Sequence, residues 1–154
     1  MAKTRYVVDH RDEETATLRN VTSGQIHTIV DPPDVSEDEA LVADLTENTD
    51  GMTWSIESID RRWTVTIGAS DQPPGDRARA AAADCSVGEI ARVDRSSGAL
   101  HVIPVPELET KAAVRDVLDD DATLDRAVRL GTDRVEIRHE PGLIAVRYDS
   151  SRVD

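Results

Sequence analysis

The side chains best suited to chemistry are Arg61 and Arg62 beside Trp63, with Arg5, Tyr6, Arg19, His27 and Trp54 elsewhere in the first seventy residues. Guanidinium groups bind phosphate oxygens and aromatic rings stack on bases, so arginines interleaved with aromatics on a small barrel would suit single-stranded nucleic acid. Alternation supports a competing reading. Trp54 alternates with Met52 and Ile56, and Trp63 with Val65 and Ile67. In a chain without Phe, the tryptophans are the natural bulk of a core. Arg61 and Arg62 can equally pair with the acids around them. Arg19, His27, Arg61 and Arg62 are therefore the candidate contacts to RNA or to a protein partner. Exposed tryptophan beside clustered arginine would indicate RNA, whereas two buried tryptophans would indicate a protein.

The remaining reactive side chains are scattered. His10, His27, His101 and His139 have no spacing for shared ligation, and Cys85 is the single cysteine, so no zinc site is assigned. His27 and His101 are expected on the solvent side of alternating strands. There is no Gly-x-Ser-x-Gly elbow and no phosphate loop, the glycines standing singly at turns. Asp119-Asp120-Asp121 reads as a helix cap rather than a cation site, because consecutive carboxylates point in different directions. Cys85, after an alanine run and without an adjacent cation, reads as a small buried residue. No catalytic residue, metal or cofactor is assigned. An enzyme or small-ligand sensor takes second place, its pocket expected between the two halves near His101 or His139.

The elements that must position these residues fall into two groups. Short alternating runs from Arg5, Thr15 and Gln25 predict three strands, broken by Asp31-Pro-Pro-Asp, since neither proline can donate to a ladder. Residues 35–45 lead into a fourth strand, and runs from Met52 and Arg62 add one or two more. Three strands, a break and then two more is the order of an OB-type barrel. The fold class is α+β: an N-terminal five- to six-stranded antiparallel barrel over 1–69, a linker at 70–76 and an α+β domain over 77–154. The second domain reads as helix, hairpin, two helices, hairpin. Its first helix is alanine-rich from Arg77. Leu108, Ala112, Val114, Val117 and Leu118 recur at helical period, and Asp120 or Asp121 caps the next helix, which ends at Gly131. Glu140-Pro-Gly turns the closing hairpin.

Charge is the dominant compositional signal. The chain carries 31 acids against 18 bases, a net charge of −13, and only two of the bases, Lys3 and Lys111, are lysine. The first 70 residues hold 6 bases and 14 acids and the remainder 12 and 17, so neither half is basic. An acidic, lysine-poor chain with a lean aliphatic core fits a salt-rich cytoplasm, where a Debye length of roughly 3 Å screens self-repulsion. The expectation is a halophilic archaeal, cytoplasmic protein. No apolar run approaches the roughly 20 residues of a membrane span.

The stretches Thr15-Ala-Thr-Leu-Arg-Asn-Val-Thr-Ser-Gly-Gln-Ile-His-Thr and Val114 through Glu136, with its Asp-Asp-Asp and Leu-Gly-Thr-Asp segments, resemble a family of small acidic haloarchaeal proteins without assigned function. The resemblance implies no activity and no site residues. The resulting reading is a non-catalytic binding or adaptor module, with a protein partner ahead of RNA. A structural homo-oligomer joined through edge strands in the hairpins at 89–105 and 134–148 is the third alternative.

Overall fold

The computed structural model describes residues 4–95 and 98–150. The chain divides between Val65 and Thr66 into two compact units.

The first unit is a closed five-stranded barrel of β1 (Thr4–Arg11), β2 (Thr15–Asn20), β3 (Ile26–Val30), β4 (Glu39–Glu47) and β5 (Trp54–Thr64), in the order β1-β2-β3-β5-β4. Period-two alternation sends one set of side chains into the lumen. Tyr6, Val8, Ala16, Leu18, Ile29, Leu41 and Ala43 are buried there, with Trp54, Ile56 and Ile59 packed against them. The expectation of an all-antiparallel barrel is corrected at one seam. β3 and β5 pair in parallel through Ile29 and Trp54, because the Asp31-Pro-Pro break and strand β4 intervene and return the chain in the same direction. The runs from Met52 and Arg62 form one continuous strand, β5, bulged opposite Val42–Leu45.

The second unit is a mixed sheet in the order β6-β9-β10-β8-β7, built from β6 (Thr66–Ala69), β7 (Ala91–Arg95), β8 (Gly98–Pro104), β9 (Arg134–Glu140) and β10 (Leu143–Asp149). Thr66–Ala69, expected to continue the barrel, instead pairs in parallel with β9. The 70–76 stretch, expected as a linker, leads from β6 to α1 (Asp76–Ala83) inside this unit. This pairing also places β9 and β10 inside the sheet, so the hairpin at 134–148 offers no edge, and β6 and β7 are the outer strands.

Helices lie on both faces of this sheet, and for that reason β8 and β10 read as near-continuous apolar runs rather than alternations. On one face Ala78 of α1 packs against Leu100, Val102, Leu143 and Ala145. The opposite face carries Val135, Ile137, Ile144, Val146 and Tyr148, all buried; α2 (Thr110–Asp119) packs on it, and α3 (Asp121–Leu130) reaches Tyr148 through Arg126. Asp120 caps α3, its Oδ1 accepting from the Ala122 N–H at 2.9 Å. Gly131 closes the helix in the left-handed region at φ 73°, where a side chain would be strained. Leu108, expected on the apolar face of α2, lies in a 3-10 turn ahead of it (Glu107–Glu109) and is fully exposed.

Candidate functional site

The four residues singled out from the sequence lie in different surroundings. Arg19 and Arg61 stand on the outer face of the barrel. There the register aligns Arg19 with Val7 and Val7 with Ala40, while Ala40 in turn faces Trp63. Arg19 is ion-paired with Asp9. The Arg61 guanidinium lies 4.7 Å from the Trp63 ring centroid, and Trp63 itself is buried. Arg62 is held by Glu39 through two bonds, Nε to Oε2 at 2.6 Å and Nη2 to Oε1 at 2.9 Å, and Nη2 also reaches the Asp34 carbonyl at 2.6 Å. That hydrogen bonding raises its pKa above the usual guanidinium range.

His27 is a correction. The sequence places it facing solvent, whereas it is buried in the lumen, since it shares the parity of Ile29 rather than that of exposed Ile26. Its ring meets Trp54 edge-on at 4.7 Å and Tyr6 at 5.8 Å, and burial lowers its pKa. Arg19, Arg61 and Arg62 therefore share no site with His27. Trp54 is half-buried against the lumen core.

His101 is corrected likewise. β8 is covered on both faces, so His101 is buried against Tyr148, ring centroids 5.2 Å apart. The Tyr148 hydroxyl accepts from Arg126 Nη1 at 3.1 Å. Burial, reinforced by Arg126 and Arg92, lowers the His101 pKa to about 4. This imidazole is thus neutral near pH 7. Among the described residues its Nδ1 has no hydrogen-bond partner, and no group of three His, Cys, Asp or Glu is placed to hold a metal.

The arrangement with the most evident chemistry was not singled out from the sequence. It lies on the α1 face of the second unit. In β9, Glu136 and Arg138 alternate with buried Val135 and Ile137. In β10, Arg147 and Asp149 alternate with Val146 and Tyr148. The register sets Arg147 opposite Glu136 and Ala145 opposite Arg138. Gly98, lacking a side chain, sits between Asp149 and Arg95. The result is a chain of charges. Arg95 Nη1 bonds Asp149 Oδ1 at 2.6 Å, Arg147 Nε lies 3.9 Å from Asp149 Oδ2, and Arg147 Nη1 is 3.3 Å from Glu136 Oε1. Arg138 Nε meets the same Oε1 at 2.6 Å. Burial and the proximity of Arg95 and Arg138 depress the Arg147 pKa, while Asp149 and Glu136 oppose that shift.

α1 spans only eight residues and packs over the apolar part of this face, while the arginine side chains beside it keep about a fifth of their surface exposed. The first turn of α1, Gly75, Asp76, Arg77 and Ala78, lines a pocket of about 300 Å³ together with Leu100 and Ala145 on the central strands β8 and β10, Arg147 on β10, and Arg95 and Arg138 on the flanking strands β7 and β9. Among the described residues Arg77, which lines it from α1, donates only to the Asp94 carbonyl, at 3.5 Å. The pocket lies wholly within the second unit and involves neither His101 nor His139. The signal that could have revealed it is the alternation Arg134-x-Glu136-x-Arg138 with Arg147-x-Asp149, which commits five charges to one face.

The chain belongs to a family of unknown function, DUF5812, whose profile matches residues 2–139. That span ends before β10, the strand bearing Arg147 and Asp149. No curated protein and no solved structure matches the chain.

Proposed function

We propose that this chain is a non-catalytic binding module that docks a protein partner through an anionic group seated in the arginine pocket. The observation carrying this reading is the convergence of Arg77, Arg95, Arg138 and Arg147 on one concavity in a chain of net charge −13. Arginine forks bind oxyanions with direction as well as charge, which matters where salt screens simple attraction. A protein is favoured over RNA on two grounds. The acidic chain repels a polyanion, and the barrel arginines that would meet RNA are engaged, Arg62 with Glu39, Arg19 with Asp9 and Arg61 over buried Trp63. We read the barrel as OB-like from its strand order, and as scaffold rather than nucleic-acid platform.

The test is affinity capture in molar KCl from cells that make the protein, comparing wild type with Arg138→Gln/Arg147→Gln and analysing protein and RNA together. A stoichiometric protein lost from the variant supports the reading. RNA enriched by the wild type and lost from the variant overturns it, as does an eluate holding neither.

We further infer a halophilic archaeal cytoplasm from the acid excess and the two lysines. Among the described residues no helix is long and apolar enough to cross a membrane. The thermal midpoint is expected to rise between about 0.1 M and about 2 M KCl as self-repulsion is screened. A flat or falling midpoint would contradict the halophilic origin.

A further inference from the structure

We infer that the anionic group this pocket recognises is a phosphate monoester dianion; the inference rests on the binding-module reading above. Three observations select phosphate over carboxylate. The first is charge: Arg77, Arg95, Arg138 and Arg147 supply four positive charges and the bridging Glu136 and Asp149 remove two, while Asp76, which also lines the pocket, is fully exposed and offset by Arg79 at 3.6 Å. The surplus of two matches a dianion and exceeds what one carboxylate can neutralise.

The second is donor supply. Among the described residues Arg138 donates only through Nε and Arg95 only through Nη1. Each guanidinium carries five N–H donors in a planar fork, so donors remain on both sides of the pocket. A phosphoryl group offers three terminal oxygens to such forks and a carboxylate two.

The third is preorganisation. Arg95, Arg138 and Arg147 have side chains only 21–24% exposed, fixed by Glu136 and Asp149 before any ligand arrives. Little side-chain freedom is then lost on binding. The lining supplied by Leu100 and Ala145 is apolar and accommodates the carbon attached to the ester oxygen. With no aromatic side chain among its lining residues, the pocket has no stacking platform for a base. The recognised group is therefore the phosphoryl head rather than a nucleotide.

Isothermal titration calorimetry in molar KCl tests this with phenyl phosphate, benzoate, a phosphoserine pentapeptide and the same peptide with glutamate in place of phosphoserine. Phenyl phosphate is expected to bind about tenfold or more tightly than benzoate. Affinity should fall in Arg138→Gln and Arg147→Gln. It should also fall in Arg77→Gln, which leaves the Glu136 and Asp149 bridges intact and so reports on binding without disturbing the fold. Equal affinity for phenyl phosphate and benzoate would overturn the inference, as would binding unchanged by the Arg77→Gln and Arg147→Gln substitutions. Binding of the glutamate peptide alone overturns the phosphate inference and leaves protein docking standing. A phosphoserine peptide no tighter than phenyl phosphate does the reverse. Silence from all four overturns both.

Discussion

Arg138 and Arg147 are held on one carboxylate oxygen. Arg138 Nε lies 2.6 Å and Arg147 Nη1 3.3 Å from Glu136 Oε1, so two like charges on neighbouring strands are kept together by a third residue. Arg134 Nη2 reaches the other oxygen at 3.4 Å. Glu136 thus performs inside the protein what an external anion would do at the same arginines.

Glu136→Gln should therefore act in opposite directions on stability and binding. Without the carboxylate, the partly buried guanidiniums repel one another, and unfolding in urea at fixed KCl should show a loss of about 1–3 kcal/mol. The same change removes the internal competitor, so affinity for a phosphate monoester should rise. Loss of both stability and affinity would mean that the order Glu136 imposes on the arginines outweighs its competition for them.

The pH dependence of stability should carry the mark of His101. Its pKa is 6.5 when unfolded and about 4 when folded, so the unfolded chain binds more protons between those values. Stability from this group is complete above pH 6.5 and is lost as pH falls toward 4, about 3 kcal/mol in all. Urea midpoints across that range should show a shallower acid slope in His101→Leu than in wild type. Parallel slopes would place the imidazole in contact with water.

Gly98 is required by close approach rather than by its backbone angle. A Cβ built there would lie 1.7 Å from the Tyr148 carbonyl oxygen. Gly98→Ala must push β8 from β10, and a loss of about 2 kcal/mol or more is expected in urea unfolding. The displacement also separates Arg95 from Asp149, so phosphate binding should weaken. Wild-type stability in this variant would contradict the register described.

Much of this architecture was legible in the sequence, and the failures have physical causes. Alternation in β1 to β3 and the Asp31-Pro-Pro break marked the barrel strands. Asp120 and Gly131 marked the ends of α3. The change of sheet after Val65 left no local signal, because Trp63, Val65 and Ile67 keep one period through it, and the β9 partner of Thr66–Ala69 is remote in the chain. His101 was misplaced because alternation presumes one wet face, whereas the run Leu100-His-Val belongs to a strand covered on both. The arginine pocket was half legible. The parity of Arg138 and Arg147 is in the sequence, but the register that sets Arg147 opposite Glu136, and the first turn of α1 that lines the pocket with them, are tertiary.

The most direct test of the account is the arginine Nε–Hε NMR spectrum in molar KCl during titration with phenyl phosphate. Saturable shifts are expected at Arg95, Arg138 and Arg147, with benzoate at equal ionic strength requiring about tenfold or more higher concentration to produce them, while Arg62 on Glu39 stays fixed. Uniform small shifts across all arginines, or saturation at Arg61 and Arg62 with Arg138 and Arg147 unmoved, would contradict it.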